Sequence, residues 1–218
     1  MVPAPVHTEV NTDGIQILFD TQAEQAGRVQ DVLGAVRADA LTESQTRHWF
    51  AYKLDNGPDA PNTSFGVFNT YAEAKAHDGQ NGINLTAKAL KENAQLFQGE
   101  PRKHPLHLLG TKLPDDCDAR TPERGAQIIM KARPGFGGKL RSIITGQYSN
   151  EILEEEETPY WFAIQYDDTT FALFAAFYSD ADRALHLNGH AAYHLMEDTS
   201  LWIQGIKTLK FDIFAAKV

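Results

Sequence analysis

Cysteine is nearly missing from this chain: one residue, Cys117, in 218. A single thiol excludes an internal disulfide, so packing alone must hold the fold, as in proteins of reducing compartments. Cys117 sits in the acidic string PDDCDAR, where neighbouring carboxylates disfavour a thiolate, and a nucleophilic role is not expected. Long apolar runs are missing too. No stretch approaches the ~18 residues of a membrane span, and MVPAPVHTEVNTDG has neither the basic start nor the apolar core of a secretory signal. Positive charge is scarce: 20 Lys and Arg stand against 29 Asp and Glu, for a net charge of -9. Without a basic cluster, neither nucleic acid nor an anionic membrane is expected as a partner. Gly135-Phe136-Gly137-Gly138 precedes a helical pattern but lacks the Walker Lys-Ser/Thr and the full Rossmann spacing. It reads as a strand-to-helix turn. The expected location is the cytoplasm.

What is present is an ordinary globular composition, 42% hydrophobic and 22% charged. That suffices for one large domain or two small ones with real cores. Ile15 to Phe19 is a short apolar run that predicts a strand. Val29, Val32, Leu33 and Val36 form the stripe of an amphipathic helix. Trp49 to Leu54 and Ser64 to Asn69 predict two more strands around a loop marked by Asn56-Gly57-Pro58. A helix over Ala72 to about Phe97, weakened at Gly79 and Gly82, and a strand over Leu106 to Leu113 complete a βαββαβ unit.

The pattern then restarts. Gln127 to Lys131 repeats the first strand, and Leu140, Ile143 and Ile144 repeat Val29, Val32 and Leu33. Trp161-Phe162-Ala163 repeats Trp49-Phe50-Ala51. Phe174, Phe177, Ala181 and His186 are matched to Phe65, Phe68, Ala72 and His77, with a longer first hairpin absorbing the change of spacing. Leu209 to Val218 supplies the last strand. Two copies of one supersecondary unit follow from this periodicity. The division expected is a flexible arm at 1–12, a first repeat at 13–113, an exposed, poorly packed linker at 114–124 and a second repeat at 125–218.

Phe171 to Tyr178 (FALFAAFY) is apolar at nearly every position. A sheet with one wet face alternates, so both faces of this strand need cover. The fold class expected is α+β: two ferredoxin-like βαββαβ repeats packed sheet to sheet as an intrachain α+β barrel, a pseudo-dimer within one chain. Further oligomerisation stays open.

At PYWFAIQYDD, the turn, TTFALFAAFYSD and ADRALHLNGH, the chain resembles the antibiotic biosynthesis monooxygenase (ABM) domain family of the dimeric α/β-barrel superfamily. The resemblance covers Gly125 to Val218 well and Asp13 to Leu113 more weakly. The first repeat departs at its longer hairpin and at Asp78-Gly79-Gln80-Asn81. The resemblance implies a barrel and a monooxygenase that oxidises an aromatic, quinol-like or polyketide-like small molecule with no metal or flavin, so no cofactor is expected. Other relatives degrade haem, for which His77 or His186 is the matching axial position. A non-catalytic ligand-binding or stress-related barrel is the alternative from another class.

Oxidation without a cofactor requires an electron-rich substrate anion, a base of near-neutral pKa and a dry aromatic pocket. The candidate bases are His190, which follows the Asn188-Gly189 break, and His186. Candidate substrate-binding residues are Trp161, Tyr166, Phe174, Tyr193, His194 and Trp202. The ligand cavity is expected in the second half, between its sheet and the Asp180 to Trp202 helix, and is expected to be the more polar of the two halves. His186, His190 and His194 are spaced i, i+4, i+8, which raises a metal site. The Asn188-Gly189 break turns His186 away, and no carboxylate shares the spacing, so no metal site is expected. The run Glu154 to Glu157 reads as a solvated loop.

Overall fold

The computed structural model describes residues 13–57, 60–72, 85–114 and 120–218. The expected arm, Cys117, His77 and the Asp78-Gly79-Gln80-Asn81 departure lie outside them. In chain order the elements are β1 (Asp13–Gln22), α1 (Ala26–Thr42), β2 (Thr46–Leu54), β3 (Asn62–Tyr71), α2 (Leu85–Glu92) and β4 (Arg102–Lys112). They are followed by β5 (Arg124–Ala132), α3 (Gly137–Ile143), α4 (Ser149–Glu154), β6 (Tyr160–Gln165), β7 (Thr170–Phe177), α5 (Asp180–Asn188), α6 (His190–Thr199) and β8 (Ile203–Lys217). The hydrogen-bonded strand order β1-β3-β2-β8-β5-β7-β6-β4 closes on itself. The expected α+β barrel class follows from it. Among the described residues no helix is long and apolar enough to cross a membrane.

Two compact units make up the chain. One comprises Asn11–Leu106 with Phe211–Val218, and the other is built on His107–Lys210. These units are offset from the sequence repeats at their last strands. β4 and β8 are long, and each contributes one end to each unit. In the first unit the end of β8 pairs with β2, with Trp49 opposite Lys217 and Leu54 opposite Phe211. In the second the end of β4 pairs with β6, with His107 opposite Gln165 and Lys112 opposite Trp161. Each exchanged end carries a lysine that caps a helix. Lys217 Nζ donates to the Ala40 and Glu43 carbonyls at 2.7 and 2.6 Å, closing α1. Lys112 Nζ donates to the Ile152 carbonyl at 2.8 Å and to that of Glu155, closing α4. A cation there answers the unpaired carbonyls and the negative end of the helix dipole.

In the first unit α1 buries Val29, Leu33, Val36 and Ala40, one stripe of the helix, against Ile17, Phe65 and Val67 of the sheet. Each such side chain contributes about 1.5–3 kcal/mol on burial. In the second unit the stripe is Leu140, Ile144, Tyr148 and Ile152. Its spacing is one residue longer between the second and third positions. The extra residue is taken up by a π-helical turn at Ile144–Tyr148, kinked at Gly146, between α3 and α4. A π turn is how a helix absorbs a one-residue insertion. The turn ahead of α3 is as read: Gly135 has φ +83, the left-handed region that glycine enters at no steric cost.

β7 is buried from Phe171 to Phe177. Phe171, Leu173, Ala175 and Phe177 join the core under the helices of their own unit. Ala172, Phe174 and Ala176 point to the opposite face and are equally inaccessible. The unbroken apolar run therefore has the cause inferred for it: both faces are covered.

The register corrects one match between the repeats. Phe50 stands opposite Phe68 and Phe162 opposite Phe174, while Gln16 faces Phe68 and Gln127 faces Phe174. Phe174 therefore corresponds to Phe68, not to Phe65. The first hairpin is longer than the sequence match allowed, and Phe residues at similar intervals disguised the slip. In the 114–124 segment Arg120, Thr121 and Glu123 are exposed, and the chain is held at a few points. Pro122 is buried, Tyr160 Oη donates to the Arg120 carbonyl at 3.0 Å, and Arg124 already opens β5.

Candidate functional site

The second unit carries the candidate groups, and α5 and α6 position them. Ser179 caps α5, its hydroxyl accepting from the Asp182 amide at 3.1 Å. The helix ends at Asn188, and α6 begins at His190 after extended Gly189. This break parts His186 from the other two histidines, as expected, but leaves His190, the favoured base, exposed and outside the apolar cavity described below. His186 turns inward, and His190 and His194 face elsewhere.

His186 is 2% exposed. Its Nδ1 lies 2.7 Å from Glu155 Oε2 and 3.0 Å from Thr158 Oγ1, and its ring packs 5.1 Å from that of Phe177. The group thus locks α5 to the segment leading into β6. Glu155, read as part of a solvated run, is a half-buried hydrogen-bond acceptor. That corrects the reading of Glu154 to Glu157: charge density alone concealed one carboxylate with a buried partner.

His190 and His194 lie one turn apart on one face of α6, their rings 3.9 Å apart edge to face. Across from them α4 presents Glu151, whose Oε1 is 3.0 Å from His194 Nδ1. Gln147 Nε2 donates to the same carboxylate at 3.1 Å. The Glu151 carboxyl is held below its usual range: burial opposes this, and the hydrogen bonds from His194 and Gln147 and the charges of both imidazoles outweigh it. Glu151 is the residue that the sequence reading missed. It follows the π turn, and only the kinked helix brings it to α6. His190 also lines an acidic recess of about 300 Å³ with Glu154, Glu155 and Glu157.

A second cavity, about 470 Å³, opens on another face of α6. Ile128, Leu187, Tyr193, Met196, Ile206 and Lys210 are among its walls. It lies between the sheet and the Asp180 to Trp202 segment, and its walls are mainly apolar. Of the residues singled out from sequence, Tyr193 lines it. Helical spacing explains the division, since residues 190 and 194 share one face of α6 and residues 192, 193 and 196 another.

The other candidates sit elsewhere. Trp161 is buried in the core beneath the helices, 6.0 Å from the Tyr148 ring, and neither its Nε1 nor Tyr148 Oη has a hydrogen-bond partner among the described residues. Phe174 lies on the opposite face of the sheet, 6.1 Å from Phe162. Tyr166 accepts from Gln127 Nε2 at 2.9 Å, and burial pushes its phenol well above the ordinary value. Trp202 is half-buried with Lys139 Nζ 3.7 Å above its ring. None of these four lines either of the two cavities just described.

This fold and a helix-borne cleft define a ferredoxin-like α+β barrel. No family model matches the chain, and no curated protein matches it. Solved structures do. A protein described as a candidate monooxygenase from Fusobacterium nucleatum subsp. nucleatum superposes with TM-score 0.80 at 11% identity, covering 95% of this chain and 94% of its own. An anthrone oxidase-like protein superposes with TM-score 0.59 at 9% identity, covering 98% and 96%. A ferredoxin-fold protein related to antibiotic biosynthesis monooxygenases, from Listeria monocytogenes, gives TM-score 0.50 at 8% identity, covering 92% and 95%. The fold implied by the sequence resemblance is therefore the fold these proteins have along nearly their whole length.

Proposed function

We propose that the chain binds a planar, apolar aromatic molecule in the cleft between α5–α6 and β5–β8, and oxidises it with dioxygen without a tightly bound cofactor. The observation that carries this reading is the cleft itself. Its volume of about 470 Å³ falls in the range of small-molecule sites, which are mostly apolar with a few polar groups. Leu187, Met196 and Ile206 supply apolar walls, and Tyr193 an aromatic one. Among the described residues Lys210 is the one charged group in the wall. A cation there favours the phenolate form of a hydroxylated substrate, and such an anion gives up electrons readily.

For an anthrone the balance closes without a reductant. The methylene carbon takes one oxygen atom and becomes a carbonyl. Its two hydrogens leave with the other oxygen as water. An oxygen electrode tests this with a panel of hydroxyanthrones and hydroquinones. The expected result is protein-dependent uptake with at least one of them, abolished by Met196→Trp, which fills the cleft. Uptake that ignores Met196→Trp overturns the placement.

One observation favours a second reading, a barrel that binds such a ligand without turning it over. Among the described residues neither an imidazole nor a carboxylate lines the cleft, and this lack of a general base in the wall favours binding alone. Binding of the same panel without oxygen uptake selects this reading. Haem degradation is the weaker branch, since His186, one matching axial position, is bonded to Glu155 and Thr158. A Soret band on haem titration would restore it.

A further inference from the structure

We propose that Glu151, His190 and His194 form a binding site for a divalent transition ion of the zinc class. Their ligand atoms all lie within 4.8 Å of one another. Two imidazoles at i and i+4 on a helix, joined by a carboxylate from a second helix, form a His₂-carboxylate set that suits zinc and its neighbours. Ligand atoms around a tetrahedral zinc stand about 3.3 Å apart, given bonds of about 2.0 Å. The 3.0 Å edge between His194 Nδ1 and Glu151 Oε1 already approaches this, and His190 needs only a side-chain adjustment to join them.

An independent observation comes from Glu151. Its Oε2 is buried and has no hydrogen-bond partner among the described residues. An unanswered carboxylate oxygen is costly, and a cation at this point would satisfy it. The recess adds field of the right sign, since Glu154 and Glu157 line it beside His190. Gln147 holds the ligand carboxylate by its hydrogen bond to Oε1, the kind of support that orients metal ligands. Nitrogen donors select Zn²⁺, Co²⁺ or Ni²⁺ over Mg²⁺ and Ca²⁺, which require oxygen ligands. Three protein ligands leave one position open to water.

The test is a Co²⁺ titration of the full chain after chelator treatment, read by visible absorption, with Zn²⁺ competition. One ion per chain is expected, with the intense bands of a four-coordinate site. His190→Ala, His194→Ala and Glu151→Gln should each weaken binding by about tenfold or more. His107→Ala, on β4, should leave it unchanged. His190 is exposed, so His190→Ala keeps the fold, which circular dichroism in chelator verifies. Absence of saturable binding, or equal affinity in His190→Ala and the parent, overturns the proposal. Oxygen uptake plays no part in the readout.

Discussion

Trp49 and Trp161 hold matching places in the two units, yet they differ in what answers them. Trp49 Nε1 donates to Thr86 Oγ1 of α2 at 3.0 Å. Among the described residues Trp161 Nε1 is buried without a partner, and so is the Tyr148 hydroxyl beside it. The helix above shows the same asymmetry. α1 runs unbroken for 17 residues, whereas its counterpart is interrupted by the π turn and resumes as α4. In the first unit Asp39 is exposed on α1. The matching Glu151, beyond the π turn, is drawn against α6. The shared parts are those that stabilise: the apolar stripes, the lysine caps, and a hydroxyl held by a carboxylate after the helix, Thr46 on Glu43 and Thr158 on Glu155. Among the described residues the second unit leaves Tyr148 Oη, Glu151 Oε2 and Trp161 Nε1 unanswered, against Asn69 Oδ1 alone in the first, and both of the cavities described adjoin α6.

Three sets of substitutions probe this comparison, in falling order of expected effect. Gly66 and Ala172 are register equivalents. A Cβ at Gly66 would overlap the Tyr52 ring, which is fixed by Gln16 Nε2 at 2.6 Å and by Phe211 at 4.2 Å between ring centroids. Gly66→Ala should cost about 3 kcal/mol by overpacking in urea denaturation, and Ala172→Gly about 1 kcal/mol. Similar costs would mean that the inner faces of the two sheets are packed alike.

His48 comes next. It stands where the second unit has Tyr160, and its pKa is lowered to about 4, first by burial and then by Arg47 and Lys217. The folded value lies below the unfolded one, so the unfolded chain binds the proton more readily. This contribution is complete above pH 6.5 or so and is lost as pH falls towards 4, on the order of 2 kcal/mol allowing for partial exposure. His48→Gln should flatten that acid limb. An unchanged limb would assign the loss to carboxylates instead.

The smallest effect belongs to the tryptophans. Trp49→Phe strands the Thr86 hydroxyl, whereas Trp161→Phe removes a donor that is already unanswered. The first should therefore cost about 1 kcal/mol more than the second. The reverse order would show that Trp161 Nε1 has a bonded partner in solution.

Much of the fold was legible because it rests on period and burial. The repeated Trp-Phe-Ala strand, the stripe led by Val29 and the two-faced FALFAAFY each state a local requirement that the structure meets. The exchange of strand ends was hidden, because a strand pattern names no partner. The misplaced match of Phe174 arose from phenylalanines recurring at similar intervals. The site was legible in part. Asn188-Gly189 foretold the parting of His186 from His190 and His194. Glu151 could not be found by spacing, because a one-residue insertion in a helix shows as a π turn only in three dimensions. The aromatic residues chosen as pocket walls were chosen for size, and Trp161 and Phe174 spend that size on the core.

The most direct measurement is hydrogen exchange of the full chain with and without a bound hydroxyanthrone from the panel. The account predicts slowed exchange in α5, α6 and the start of β8, with β1 to β3 unchanged. Protection of β2 and β3, with α6 unaffected, would contradict the claim that the second unit holds the ligand.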